Sequence, residues 1–316
     1  MKEATRVTIM GAGGMGALFG SILADAGLEV VLVDNDQDHI GAINRDGLKI
    51  LGFGGDRSRR LCATVDAGEI ERADLVLFQC KAGGNRAAAE AARHLIDGGG
   101  VAISFQNGLA NEEVLADVLG EPNVLGGLTT MAGCKLGPGV IQDFSRTPSW
   151  IGEINGGVSD RVRVFAGMLS EAGLETIAST DIVKDIWKKL LGNVAMSAIS
   201  GITGLTSAEA LAIPALERTC LAALDEAWAV AGAAGIDLDR ASALSGLEAI
   251  STPGGTGDNK SSLRIDLENE QPTEVDVIYD AVIAKGEAQG VATPTLKTLA
   301  SLARGLESRY RQEGTP

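Results

Sequence analysis

The chain has 316 residues, with 27 Lys plus Arg against 42 Asp plus Glu and a formal net charge of −15. That excess of acid argues against a nucleic-acid partner, and an aromatic content of 3% leaves little on which bases could stack. The length predicts two domains around a sizeable aliphatic core, and 42 glycines imply many tight turns or close backbone approaches.

The four cysteines, Cys62, Cys80, Cys134 and Cys220, lie far apart, with no CxxC and no Cys/His cluster at metal-ligand spacing. They read as reduced thiols of a cytoplasmic protein, and no metal is implied. The charged start, Met1 to Arg6, leads into a short apolar run broken by glycines, which reads as neither a signal peptide nor a membrane span. The most apolar later stretch, Thr219 to Ile236, carries Asp225 and Glu226 and reads as a core helix.

From Arg6 to Val33 an apolar run (Val7 to Met10), a glycine-rich turn, an alanine-rich segment and a β-branched run (Glu29 to Val33) predict a βαβ unit. The rhythm continues with a strand over Asp74 to Phe78, a helix over Asn85 to Ile96, a strand over Gly100 to Ser104, a helix over Glu112 to Leu119 and a strand over Asn123 to Leu125. Such alternation implies a parallel sheet covered on both faces. Between Thr129 and Glu153, two alternating stretches divided by Gly137-Pro-Gly139 predict antiparallel strands that extend this sheet. A helix (Asp160 to Ala172) and a strand (Glu175 to Ile177) close the first domain, residues 1–180. The second, residues 181–316, reads as nearly all helix: Ile182 to Ser200, Leu216 to Ala234, Arg240 to Ala249, Val275 to Gln289 and Pro294 to Tyr310, with a short loop at Thr252 to Gly257.

Gly11-Ala12-Gly13-Gly14-Met15-Gly16 is a GxGxxG placed after a strand and before a helix. Its glycines permit a tight turn, approach to a pyrophosphate and close helix packing, while the helix N-terminus offers N–H donors to phosphate. Asp34, about twenty residues on, ends the second strand, where a carboxylate accepts from the adenosine ribose hydroxyls. The first domain is therefore read as a Rossmann-type doubly wound sheet. A carboxylate at Asp34 repels a 2′-phosphate and no Arg or Lys follows before Arg45, which favours NAD over NADP. The other reading of Asp34 is a turn or N-cap residue of the next helix.

Lys189 and Asn193, four apart, share a helix face beside the apolar stripe Ile186, Leu190 and Val194, whereas Lys188 reads as a surface charge. Glu274 and Asp276 follow Thr273 at a helix start, and Gln106-Asn107-Gly108 follows a strand at the carboxyl end of the sheet, where ligands gather. On spacing alone, the lysine and asparagine could simply rim an interface and Asn107-Gly108 could simply be a turn.

The series of the N-terminal GxGxxG, Phe78-Gln-Cys-Lys81, Gln106-Asn-Gly108, Gly137-Pro-Gly139 with Ile151-Gly-Glu153, Trp187-x-Lys189-Leu190-x-x-Asn193, Ser262 and Thr273-Glu-Val-Asp276 resembles the ketopantoate reductases across nearly the whole chain. The resemblance implies reduction of a 2-keto acid to a 2-hydroxy acid by hydride from a nicotinamide, at a cleft between the domains. Lys189 matches the family's general acid and Glu274 the carboxylate that binds substrate and works with it. Asn193 and Ser262 match substrate-binding positions. Lys81 and Asn107 match positions near the cofactor, Asn107 also bordering the substrate. The sequence departs from the family in carrying Asp34 where an Arg is common, Gly84 where a Gln is common, and Ser197 and Ser207 where substrate-pocket asparagines are expected. NADPH is the family default, so both cofactors stay open.

Ketopantoate reduction in pantothenate synthesis is the leading expectation. An NAD-dependent D-2-hydroxyacid dehydrogenase of mandelate type, for which Asp34, Ser197 and Ser207 would be suited, is the second. A β-hydroxyacid or glycerol-phosphate dehydrogenase is more distant, and no Arg or Lys cluster in the helical part would grip a phosphate dianion. A non-catalytic nucleotide sensor is the alternative of another class; retention of Lys189, Asn193, Ser262 and Glu274 speaks against it. The apolar faces expected of a helical second domain allow a homodimer.

Overall fold

The computed structural model describes residues 5–252, 256–258 and 260–313. The chain divides into two compact units, Met1–Gln106 with Asn111–Val183, and Asn107–Ala110 with Lys184–Pro316.

In the first unit the elements run β1 (Arg6–Met10), α1 (Gly14–Asp25), β2 (Glu29–Val33), α2 (Gln37–Asp46), β3 (Leu48–Gly52), β4 (Arg57–Arg59), β5 (Cys62–Thr64), β6 (Leu75–Phe78), α3 (Asn85–Asp97), β7 (Val101–Ser104), α4 (Asn111–Leu119), β8 (Val124–Thr129), β9 (Ala132–Gly137), β10 (Val140–Ser145), β11 (Ser149–Gly152), α5 (Asp160–Glu171) and β12 (Thr176–Ala178). The main sheet has the order β12-β11-β8-β7-β6-β1-β2-β5. From β8 across to β5 all neighbours are parallel. β11 pairs antiparallel with β8 and parallel with β12.

All residues of β6 and β8 are buried, as expected of strands covered on both faces. Ile9, Leu77 and Ile103 pack into one apolar cluster with Leu18 and Phe19 of α1. Their chain neighbours Met10, Val76, Phe78 and Ala102 pack into another with Ala89, Leu95 and Leu115 of α3 and α4. The period-two alternation of a strand thus divides the core into two layers. The chain moves to one side of β1 through β2 and to the other through β6, so the gap between β1 and β6 is the switch point at whose carboxyl end ligands bind in such sheets.

The hairpin around Gly137-Pro-Gly139 forms, but it does not extend the main sheet as expected. β9 and β10 join β3 and β4 in a separate sheet of order β4-β3-β10-β9, in which β10 is parallel to β3. Packing explains the difference: Gly133 of β9 lies against Leu18 and Met15 of α1, so the hairpin covers that helix. The open edge beside β8 goes to β11 instead. β3 gives little signal in the sequence: Leu48 and Ile50 are buried around an exposed Lys49, a pattern only five residues long.

The second unit is helical: most of α6 (Ile182–Thr203), then α7 (Ser207–Leu211), α8 (Pro214–Ala233), α9 (Arg240–Ile250), α10 (Ser262–Glu268), α11 (Ala281–Gln289) and α12 (Pro294–Glu313). α8 buries Cys220, Ala223, Leu224, Ala227, Val230 and Ala231, the spacing of an amphipathic core helix. The Glu226 carboxylate accepts the Thr295 and Leu296 N–H groups at 2.9 and 3.0 Å, satisfying the first turn of α12. The segment expected as one helix from Val275 to Gln289 begins instead with a π-helical turn, Asp276–Asp280. Residues 253–255 of the predicted loop lie outside the described residues. No helix among the described residues is long and apolar enough to cross a membrane.

Candidate active site

The glycine-rich loop joins β1 to α1 at the carboxyl edge of the sheet. Gly11 has φ +101°, and a Cβ on it would collide with the Cys80 backbone after β6. A Cβ on Gly16 would collide with the Gly11 carbonyl, so the loop folds back on its own helix only with glycine at both places. The close approach at Cys80 also sets Lys81, exposed at the start of a 3₁₀ turn, beside this loop.

Gly13 is the N-cap of α1 and offers no side-chain cap, and a Cβ placed on it meets nothing within 4 Å. The N-cap of α1 therefore borders open space at Gly13, while the next residue, Gly14, packs against the Cys134 backbone; an uncapped helix N-terminus beside free space is the arrangement that accommodates a pyrophosphate. The residues present fit a dinucleotide.

Asp34 is oriented by two backbone donors: Ala12 N–H at 2.7 Å on Oδ2 and Asp36 N–H at 3.0 Å on Oδ1. Each oxygen keeps a second lone pair for a ribose hydroxyl. Of the other reading of Asp34, the N-cap half does not hold, since Asp36 is the N-cap of α2 and accepts His39 N–H at 2.9 Å, whereas the turn half does: the Asp36 N–H on Asp34 Oδ1 closes an Asx turn. His39, to which the sequence alone assigns no role, is fully buried. Its Nδ1 accepts Gly139 N–H at 3.0 Å, which leaves Nε2 to donate to the Ala12 carbonyl at 2.8 Å. One of only two histidines, three residues past an N-cap aspartate, was the available signal.

In the second unit Lys189, Asn107 and Glu274 form one hydrogen-bonded chain. Lys189 Nζ donates to Asn107 Oδ1 at 2.7 Å, and Asn107 Nδ2 donates to Glu274 Oε2 at 3.2 Å. A lysine ammonium only donates and a carboxylate only accepts, so this amide orientation is the one that satisfies both partners. Glu274 is only 8% exposed. Burial pushes Lys189 down to about 8, against the Glu274 charge, which raises it.

Asn193 and Ser197 follow Lys189 at intervals of four on α6 and so share its face. The Ser261 hydroxyl donates to the Ser197 carbonyl at 3.4 Å and caps α10, which places Ser262, the first residue of that helix, next to the end of the stripe. Ser207 is carried by a different helix, buried as the first residue of α7 with Thr206 as the cap. Lys188 is exposed, as expected of a surface charge. Among the described residues no group of three or more His, Cys, Asp or Glu could hold a metal ion.

The model for Ketopantoate reductase PanE/ApbA matches residues 7–156, and that for its C-terminal part matches residues 181–307. A 2-dehydropantoate 2-reductase of Archaeoglobus fulgidus is 32% identical over 96% of this chain and 98% of its own.

The chain belongs to the ketopantoate reductase family.

Membership makes it a nicotinamide-dependent oxidoreductase acting on the 2-hydroxy or 2-keto acid group. Among solved structures of the fold, a D-mandelate dehydrogenase with NADH and anilino(oxo)acetate superimposes with a TM-score of 0.93 at 26% identity, covering 97% of this chain and 100% of that one. A ketopantoate reductase family member of Ralstonia eutropha JMP134 gives 0.89 at 28%, covering 97% and 100%.

Proposed function

We propose that this ketopantoate reductase family member reduces ketopantoate to pantoate, using NADH in preference to NADPH, with Lys189 as proton donor. The observation that carries the chemistry is the bonded chain Lys189, Asn107, Glu274. An ammonium has three N–H donors and Asn107 takes one. Another can donate to the substrate's carbonyl oxygen, polarising it and fixing its direction. Bound dinucleotide supplies the hydride that adds to the carbonyl carbon. As negative charge collects on oxygen, the proton passes from Lys189 Nζ to that oxygen and leaves a neutral amine. Lowering Lys189 to about 8 brings it nearer to neutrality, where transfer in either direction is accessible. Glu274 keeps the lysine charged before the step, and Asn107 holds the two in register. Asn193, Ser197, Ser207 and Ser262 are the residues proposed to bind the rest of the substrate, with Asn107 at its edge. Gly11 to Gly16, Asp34, Lys81 and Asn107 are proposed for the cofactor. The fixed Asp34 carboxylate supports NADH.

A second reading is favoured by one comparison: the D-mandelate dehydrogenase likeness, whose structure holds NADH and anilino(oxo)acetate. With Asp34, Ser197 and Ser207 in this sequence, it supports a bulkier 2-keto acid as substrate. Initial rates with ketopantoate and with benzoylformate, each with NADH and NADPH, decide. Faster ketopantoate turnover supports the first reading and a benzoylformate preference the second; an NADPH preference overturns the role given to Asp34.

The proposal includes a cytoplasmic homodimer, for which the half-exposed Leu302 on the helical unit offers apolar surface. Sedimentation velocity checks it, and a monomer at micromolar concentration overturns it.

A further inference from the structure

The π-helical turn Asp276–Asp280 begins two residues after Glu274. Such turns make up well under one per cent of residues in proteins and frequently mark functional sites. Here the turn meets both other carriers of the bonded chain. Val277 C=O accepts Leu109 N–H at 2.9 Å, two residues past Asn107. Gly108 makes that approach possible: its φ is +87°, and a Cβ there would run into Val277. Tyr279 reaches α6. Its side chain is fully buried, its hydroxyl accepts Ala198 N–H at 2.9 Å, and it donates to Val194 C=O at 2.9 Å.

Val194 and Ala198 are four apart, so they are the two ends of one rung of the α6 ladder. The phenol bonds both ends of that rung directly after Asn193 and around Ser197, one turn beyond Lys189. Backbone groups at this spacing in a helix ordinarily bond each other, and here both bond the hydroxyl. Phenylalanine would fill the same volume in the apolar core. A side chain inserted at the i to i−4 ladder changes the local course of a helix. The hydroxyl therefore ties the course of α6 to the turn that carries Glu274.

We propose that Tyr279 is a positioning residue: its hydroxyl, bonded to both ends of the Val194–Ala198 rung, holds the Lys189 and Asn193 half of α6 in register with Glu274. The inference rests on the reading of Lys189 as proton donor. It extends that reading to a residue that touches neither the substrate nor the reacting atoms.

The test is Tyr279→Phe in the full chain, assayed beside Lys189→Met. Tyr279→Phe should keep its thermal midpoint within a few degrees and its NADH affinity unchanged. Its kcat should fall at least fivefold, and the high-pH limb of kcat/KM should move down by half a pH unit or more, because the Glu274 charge then supports Lys189 less well. A wild-type kcat and limb in Tyr279→Phe, with Lys189→Met inactive, overturns the positioning role alone. Retained turnover in Lys189→Met overturns both readings. The chain has two tyrosines, Tyr279 and Tyr310. If Tyr279→Phe does not fold, 3-fluorotyrosine incorporated in a Tyr310→Phe background gives one fluorine signal, at residue 279. A shift of that signal on adding oxamate with NADH, abolished in Glu274→Gln, supports the coupling, and an unresponsive signal overturns it.

Discussion

Asp36 Oδ2 and Lys135 Nζ lie 2.8 Å apart, joining the N-cap of α2 to strand β9. The Lys135 hydrogen bond holds the Asp36 carboxyl below its usual range. Asp36 lies two residues beyond Asp34, so the cation bonded there already has a carboxylate partner. Asp34→Ala should raise the NADPH to NADH ratio of kcat/KM. Adding Asp36→Asn should raise it about tenfold further by leaving Lys135 for a 2′-phosphate, the scale of one charge-assisted hydrogen bond. Initial rates with the two cofactors check this, and an unchanged ratio in the double variant refutes it.

Lys189→Met removes the proposed proton donor and keeps much of the side chain's volume. Turnover should fall by about 10²- to 10⁴-fold, the usual contribution of positioned proton transfer. NADH binding, followed by fluorescence titration, should be unchanged, since the glycine loop and Asp34 belong to the other unit.

The state of Lys189 sets the sign of the pH dependence. A proton donor must be protonated, so kcat/KM for reduction should decline as pH rises through about 8, and the reverse oxidation should gain over the same interval. Glu274 raises the Lys189 value by its charge, so Glu274→Gln should move the limb to lower pH. A limb that stays in place would show that the carboxylate does not act on the lysine.

Glu112, near the start of α4, is buried, and desolvation pushes its carboxyl up to about 7, although Ser104 and Gly127 donate to it. Between its ordinary value of 4.5 and about 7 the folded chain binds more protons at this group than the unfolded chain. Stability from this group therefore falls as pH rises across that window. Glu112→Gln should unfold at a higher temperature than the wild type at pH 8, with the difference shrinking towards pH 5. Thermal melts at the two values test this, and a pH-independent difference would refute it.

Where a local pattern was long and self-consistent, sequence and structure agree closely. Glu29 to Val33 is a strand over those same residues, and the alternation of Leu75–Phe78, Asn85–Asp97 and Val101–Ser104 follows the predicted order. The disagreements arise where distant segments decide the outcome. β3 is five residues long and takes β10 as its parallel partner across about ninety residues of chain, a pairing that local periodicity does not encode. The π-helical turn looks like ordinary helix in sequence, because its geometry depends on Tyr279 finding α6 and Val277 finding Leu109. Lys189 and Asn193 show their common face by spacing. That Glu274 works with Lys189 is legible only through family likeness, which places Asn107 near the cofactor and the substrate; the fold shows Asn107 bonded between the two, across 82 and 167 residues of chain.

The single imidazole of His39, bonded on one side to the glycine-rich loop and on the other to the β9–β10 turn, bears on how freely parts of this protein can be exchanged. The hairpin looks like a detachable module, a short excursion in its own small sheet. Its turn nonetheless relies on one tautomer of a residue one hundred positions earlier in the chain. A chimaera that takes the hairpin from a relative should take the relative's residue at position 39 as well; otherwise the mismatch will be felt at Ala12, inside the glycine loop.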